Sequence, residues 1–188
     1  MQKKISSPSL QTETKPVRQD EAIRYFSMRT HYGWITVTAT DNGLCGLALA
    51  DSSAEATATL HKEFSAARLR RDPSLGEWIE AALTCIDQGP LGKHSLPLLD
   101  LHGTAFQQSV WRAIGTIPRG ETRSYSKLAA SVGKPRAARA VARACAANRI
   151  ALLIPCHRVV GSDGSLTGYR WGIERKRQLL MAEGCDSR

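Results

Sequence analysis

The first apolar pattern along the chain is that of strands. Ile23–Met28 and Trp34–Thr38 are rich in β-branched and aromatic residues and read as strands, and Leu44–Leu49 follows as a third. His31-Tyr32-Gly33 separates the first pair. Asp41-Asn42-Gly43 separates the second and signals a tight hairpin, because Asn-Gly accepts positive φ. The period then lengthens. Ser53–Ala67 and Leu75–Gln88 repeat as helices, with Gly89-Pro90 as the stop, and Leu96–Leu101 reads as a short extended connector. Residues 1–20, rich in Lys, Ser, Thr, Gln and Pro, read as a loose tail.

Beyond Gly103 the pattern is mainly helical. Thr104-x-x-Gln107 is a capping box, and Phe106, Val110, Trp111 and Ile114 make one apolar face that ends at Pro118-Arg119-Gly120. Ser124 caps a helix over Tyr125–Val132, stopped by Gly133-Lys134-Pro135, and a further helix follows over Arg136–Ala147. Two short helices joined by a Gly-containing turn form a helix-turn-helix pattern. The expected class is therefore α/β (α+β): tail 1–20, a small antiparallel sheet with helices over 21–100, and a mainly helical half over 101–188.

Composition narrows the partners. Among 188 residues, 26 Lys+Arg face 17 Asp+Glu, a net charge of +9. No apolar run approaches the ~18 residues of a membrane span, and the N-terminus lacks the apolar centre of a signal peptide. The 5 cysteines are an odd number without a Cys-x-x-Cys pair, which excludes a complete disulfide framework and a zinc ribbon. Reduced thiols in the cytoplasm fit, and no metal is expected. The basic balance suits nucleic acid or a merely solvated surface. On a helical wheel Arg136, Arg139 and Arg143 fall within roughly 60° on an Ala-rich helix. Small side chains let such a helix approach a surface closely, and guanidinium forks suit phosphate.

Ile150–Ile154 reads as an apolar strand leading into Pro155-Cys156-His157-Arg158. A thiol beside His and Arg is electropositive and favours the nucleophilic thiolate. On a regular strand, however, His157 and Cys156 point to opposite faces, so the chain bends there or a water carries the proton. On these residues alone a structural cysteine is as good a reading as a nucleophile. Arg158 suits either loop carbonyls or phosphate.

Pro155-Cys156-His157-Arg158-Val159, with Asn148 before it and Gly168-Tyr169-Arg170-Trp171-Gly172 after it, resembles the O6-alkylguanine-DNA alkyltransferase family. The likeness is greatest to the C-terminal half of its two-part regulatory bacterial members. It runs from about Arg24 to Glu183 and is dense from Gly103 onward. The resemblance implies a ribonuclease H-like N-terminal half and a C-terminal DNA-binding, alkyl-acceptor half. It implies irreversible, stoichiometric transfer of a methyl or other alkyl group from O6-methylguanine in duplex DNA to Cys156. O4-methylthymine is a second candidate substrate. His157 would draw off the thiol proton through a water, Glu183 would orient His157, and Asn148 would brace the site. Tyr125 would meet the flipped nucleotide's phosphate. Arg139 would enter the base stack, beside Arg136, Ala137 and Ala138 on the DNA face. Tyr169 would hydrogen-bond the purine, with Arg170, Trp171 and Val159 completing the pocket. Trp171, where some relatives carry a small residue, is expected to narrow that pocket in favour of methyl over benzyl groups.

These roles fit the chemistry. O6 of guanine lies inside the duplex, so the base must be extruded, and an Arg in the minor groove holds the gap. The resemblance implies a monomer that uses no cofactor, binds DNA with little sequence preference and lacks the regulatory members' sensor module. Two other function classes compete. A non-catalytic helix-turn-helix regulator explains the arginines and leaves Pro155-Cys156-His157-Arg158 without purpose. A cysteine hydrolase explains Cys156 and His157 and has no call for the arginine helix.

Overall fold

The computed structural model describes residues 10–11, 22–89 and 96–185. The elements in chain order are β1 (Leu10–Gln11), β2 (Ala22–Thr30), β3 (Gly33–Thr40), β4 (Gly43–Ala50), α1 (Ser53–Glu63), β5 (Arg68–Arg71), α2 (Gly76–Asp87), β6 (Leu99–Asp100), α3 (Ala105–Gly115), β7 (Arg123–Ser124), α4 (Tyr125–Ser131), α5 (Ala138–Ala146), β8 (Val159–Val160) and α6 (Ile173–Ala182). Short 3-10 turns cover Pro73–Leu75 and Cys156–Arg158. The mixed α/β class agrees with expectation. The sheet is larger than expected and not purely antiparallel: its order is β1-β6-β4-β3-β2-β5, with only the central β2, β3 and β4 antiparallel. Apart from β1, which pairs parallel with β6, the expected loose tail lies outside the described residues.

Strand β3 sends Ile35, Val37 and Ala39 into the main core, which continues without a break into α3, α4, α5 and α6. On strand β4 the apolar spacing slips from Leu44 to Leu47 and Leu49, because a bulge lets Thr38 pair with Gly46 and Ala39 with Leu44. Gly46 is required there, since a Cβ would lie 2.4 Å from the Thr38 hydroxyl. Cys45 faces the other side with Ile23, Leu60 and Phe64, beneath α1. The hairpin turn is present, and its positive φ falls on Gly43 rather than on the two turn residues. Strand β5, which the sequence reading missed, pairs parallel with β2, and its arginines discourage edge-to-edge association.

Several elements are shorter than predicted. α1 stops at Glu63, and α5 begins at Ala138, which leaves Arg136 in the preceding turn and only Arg139 and Arg143 on the helix. The capping box at Thr104 and Gln107 forms reciprocally. Arg119 joins two helix ends by donating to Ile86 and Asp87 carbonyls of α2 and to the Ala182 carbonyl of α6. It thereby satisfies carbonyls that a helix leaves open.

Candidate functional site

The predicted strand over Ile150–Ile154 does not form. Ile150 makes a single parallel bridge with Leu47, flanked by hydrogen bonds from Leu47 N to Arg149 O and from Ala151 N to Leu47 O, each 2.8 Å. The chain then coils tightly, with Leu152 at φ 64°, a left-handed conformation that costs a non-Gly residue roughly 1–2 kcal/mol. Asn148 replaces the missing ladder. Its Nδ2 donates to the carbonyls of Ile150 (3.2 Å) and Ile154 (3.0 Å) and to Cys156 Sγ (3.2 Å), while Oδ1 accepts from Ile150 N (2.8 Å). Asn148 is 1% exposed, so truncation strands several buried groups. Asn148→Ala is expected to cost about 3 kcal/mol in urea unfolding. A loss below about 1 kcal/mol would show that other groups take over those bonds.

The coil delivers Cys156 and His157 into a 3-10 turn, which removes the strand geometry behind the alternating-face objection. His157 is fully buried, and its Nε2 lies 3.0 Å from Glu183 Oε1 at the end of α6. Arg158 donates from Nε and Nη2 to the two Glu183 oxygens (2.8 and 2.7 Å) and from Nη1 to Ile117 O (2.6 Å). Of its two candidate roles, Arg158 therefore takes the carbonyl one. Burial works to raise the Glu183 carboxyl, but hydrogen bonds from His157 and Arg158 outweigh it and hold it at about 2. Burial lowers His157, against the pull of Glu183, so the imidazole is neutral. A carboxylate at Oε1 requires the proton on Nε2. Nδ1 is then the basic nitrogen, and it is buried without a hydrogen bond to any of the described residues.

The expected resting thiolate is not supported. Burial pushes the Cys156 thiol up to about 11, against smaller opposing effects of Asn148 and Lys176. The adjacent His157 and Arg158 both turn to Glu183, so sequence adjacency does not place their charge on the sulfur. Lys176 was missed. Its ammonium is fully buried and donates to the carbonyls of Val159 (2.6 Å) and Thr167 (2.8 Å). Burial brings it down to about 8. One signal was available: Lys176 shares a helical face with Leu179 and Leu180, both buried.

Cys156 opens into a cavity of about 520 Å³ lined by α5 through Ala138, Arg139, Ala142, Cys145 and Ala146, and by Tyr125, Thr167, Gly168, Tyr169 and Arg170. Tyr125 closes against the loop by donating to Thr167 O (3.2 Å). The Tyr169 hydroxyl is buried without a hydrogen-bond partner among the described residues, and burial raises it well above its ordinary value. Trp171 and Val159 do not line this cavity. Trp171 packs edge-on behind Tyr169, with ring centroids 5.2 Å apart, and Val159 lies in the core, its carbonyl held by Lys176. Arg139 is exposed at the cavity wall. Arg136 is exposed and Ala137 half-buried in the turn before α5. Among the described residues, no group of three or more His, Cys, Asp or Glu side chains can hold a metal ion, and no helix is long and apolar enough to cross a membrane.

A family profile described as "6-O-methylguanine DNA methyltransferase, DNA binding domain" matches residues 105–185. The bifunctional transcriptional activator/DNA repair enzyme Ada of Escherichia coli is 46% identical over 165 residues, which cover 86% of this chain and 46% of Ada. The chain thus spans about half the length of that relative. A methylated-DNA–protein-cysteine methyltransferase of Mycolicibacterium paratuberculosis is 40% identical over 161 residues, covering 86% of this chain and 92% of that protein. The crystal structure of Mycobacterium tuberculosis OGT in complex with DNA superposes with a TM-score of 0.68 at 38% identity, over 86% of this chain and 92% of that one.

Proposed function

The chain belongs to the methylated-DNA–protein-cysteine methyltransferase family, and from that premise we propose that it repairs O6-alkylguanine in duplex DNA by moving the alkyl group onto Cys156. The observation that carries this reading is the buried thiol at the cavity wall beside a neutral imidazole. Glu183 pins one nitrogen of that ring and leaves the other basic. The carboxylate fixes the tautomer, and Nδ1 takes the thiol proton through one water. The thiolate then attacks the alkyl carbon in line. The S–C bond forms as the C–O6 bond breaks, the electron pair leaves on the purine, which takes up a proton from water to become guanine, and His157 gives its proton back to water. Tyr169 is too weak an acid to act as the proton source, and its free hydroxyl instead donates a hydrogen bond to the extruded base.

The thioether is not hydrolysed, so each chain acts once. With duplex containing one O6-methylguanine in excess, repaired lesions should plateau at the number of protein chains, and continued turnover would overturn the reading. The DNA-binding face is α5 with Arg139, supported by Arg136, Ala137, Ala138 and Tyr125. It approaches the minor groove, as a monomer in the cytoplasm, mainly through phosphates. In this division, residues 21–100 support the acceptor half over 101–188, and methyl is the preferred group. Arg139→Ala is expected to slow repair of duplex at least about tenfold by losing the wedge that holds the flipped base out. Reaction with free O6-methylguanine base should be unchanged. Equal slowing on both would place Arg139 in the chemistry instead.

A further inference from the structure

A second cavity, of about 670 Å³, lies beside the acceptor cavity. It is walled by α1 and the end of β4 on one side and by Arg149, Trp171, Gly172 and Arg175 on the other. Among the described residues, Arg170 borders both spaces. Its guanidinium pairs with Glu63, the last residue of α1, and donates to Ala146 O at the end of α5 (3.3 Å). It also lies 5.9 Å from the Trp171 ring centroid. The ion pair is only partly exposed, 30% on Arg170 and 14% on Glu63.

We propose that Arg170, latched by Glu63, is the partition between the two cavities and sets how large an alkyl group Cys156 accepts. This inference rests on the alkyl-transfer reading. It gives the N-terminal half a direct part in substrate choice, through a residue of α1. The rest of the wall segment is already fixed. Lys176 holds Thr167 O at one end, and Arg175 donates to Trp171 O (2.8 Å) at the other. Gly168 and Gly172 bracket the segment at φ 33° and 97°, with no atom within 4 Å of where a Cβ would stand. No close packing around these glycines sets the position of Arg170, so its two polar contacts hold the side chain in place. Withdrawing that side chain joins the spaces. A bulky O6 substituent could then extend past Arg170 along the face of Trp171.

The test compares second-order alkylation rates for duplexes carrying O6-methylguanine and O6-benzylguanine, so that base extrusion is common to both. Arg170→Ala should raise the benzyl-to-methyl rate ratio by about tenfold, a discrimination of the size one pocket contact supplies. The nearly isosteric Glu63→Gln should raise it in the same direction. Arg170→Lys, which keeps the ion pair, should stay near the wild-type ratio. A merely structural role would slow both substrates together and leave the ratio unmoved in Arg170→Ala and Glu63→Gln, which would overturn the proposal. If the wild-type chain takes no alkyl group at Cys156 from either duplex, the alkyl-transfer reading falls and this inference with it. If it does and the ratio does not move, this inference alone falls.

Discussion

Cys156→Ala is expected to abolish transfer of the methyl group completely while duplex binding stays within about twofold of wild type. The chemistry needs a polarisable nucleophile at the cavity wall. Cys145 lines the same cavity, but burial pushes its thiol up to about 12. Cys156→Ser should fail as well, because a hydroxyl is far harder to deprotonate than a thiol and the neutral imidazole is a weak base. Binding is spared because Arg136, Arg139 and Arg143 lie on exposed surface outside the Cys156 turn. The substitution removes only one small buried atom, so the fold should lose no more than about 1–2 kcal/mol. Methyl release from labelled duplex and a binding titration on the same preparation check both halves. A Cys156→Ala protein that still clears the lesion would refute the assignment.

Glu183→Gln is expected to slow transfer at least about a hundredfold, within the range that general-base positioning supplies. Two effects combine. The amide no longer stabilises an imidazolium, and it presents N–H groups where Arg158 also presents donors. Arg158 then keeps the Ile117 carbonyl and at best one uncharged amide oxygen, and a buried charge stripped of its counter-ion costs about 3–5 kcal/mol. The acid limb of stability follows from the same carboxyl. Its folded value near 2 lies below the ordinary 4.5, so its contribution is complete above the ordinary value and is lost as pH falls towards 2. Wild-type protein should lose stability through that window, on the order of 3 kcal/mol, and the Gln variant should lose less. Urea midpoints at neutral and acid pH, with single-turnover rates, measure both. A rate within twofold of wild type would mean that Glu183 does not act through His157.

Much of this architecture is written locally. Strands β2, β3 and β4, the capping box at Thr104 and the helix starting at Tyr125 follow from period, turn residues and caps, which a sequence displays directly. Long-range pairing does not. Strand β5 is almost all arginine and becomes a strand only because β2 offers an open edge. The run Ile150–Ile154 is apolar because it is buried. Burial by coil and burial by strand look alike until the side chain of Asn148 is seen to take the carbonyls. The residues proposed as nucleophile, base and orienter were legible only through the family resemblance, since the motif alone left Cys156 open and Glu183 lies outside it, and the structure brings Asn148, Cys156, His157 and Glu183 together. Their electrostatics were not. Adjacency suggested a thiolate, whereas the directions of His157 and Arg158 towards Glu183 leave a protonated thiol. Arg170, Trp171 and Val159 were all read as pocket residues beside Tyr169, and of these three only Arg170 lines the cavity.

The central claim is that Cys156 is consumed as it repairs. The most direct measurement is the intact mass of the protein after incubation with duplex DNA carrying one O6-methylguanine, followed by peptide mapping. The account predicts a single added methyl group per chain, located on Cys156, with the guanine restored in the DNA. An unmodified protein that still binds the duplex, or a methyl group on any other residue, would contradict it.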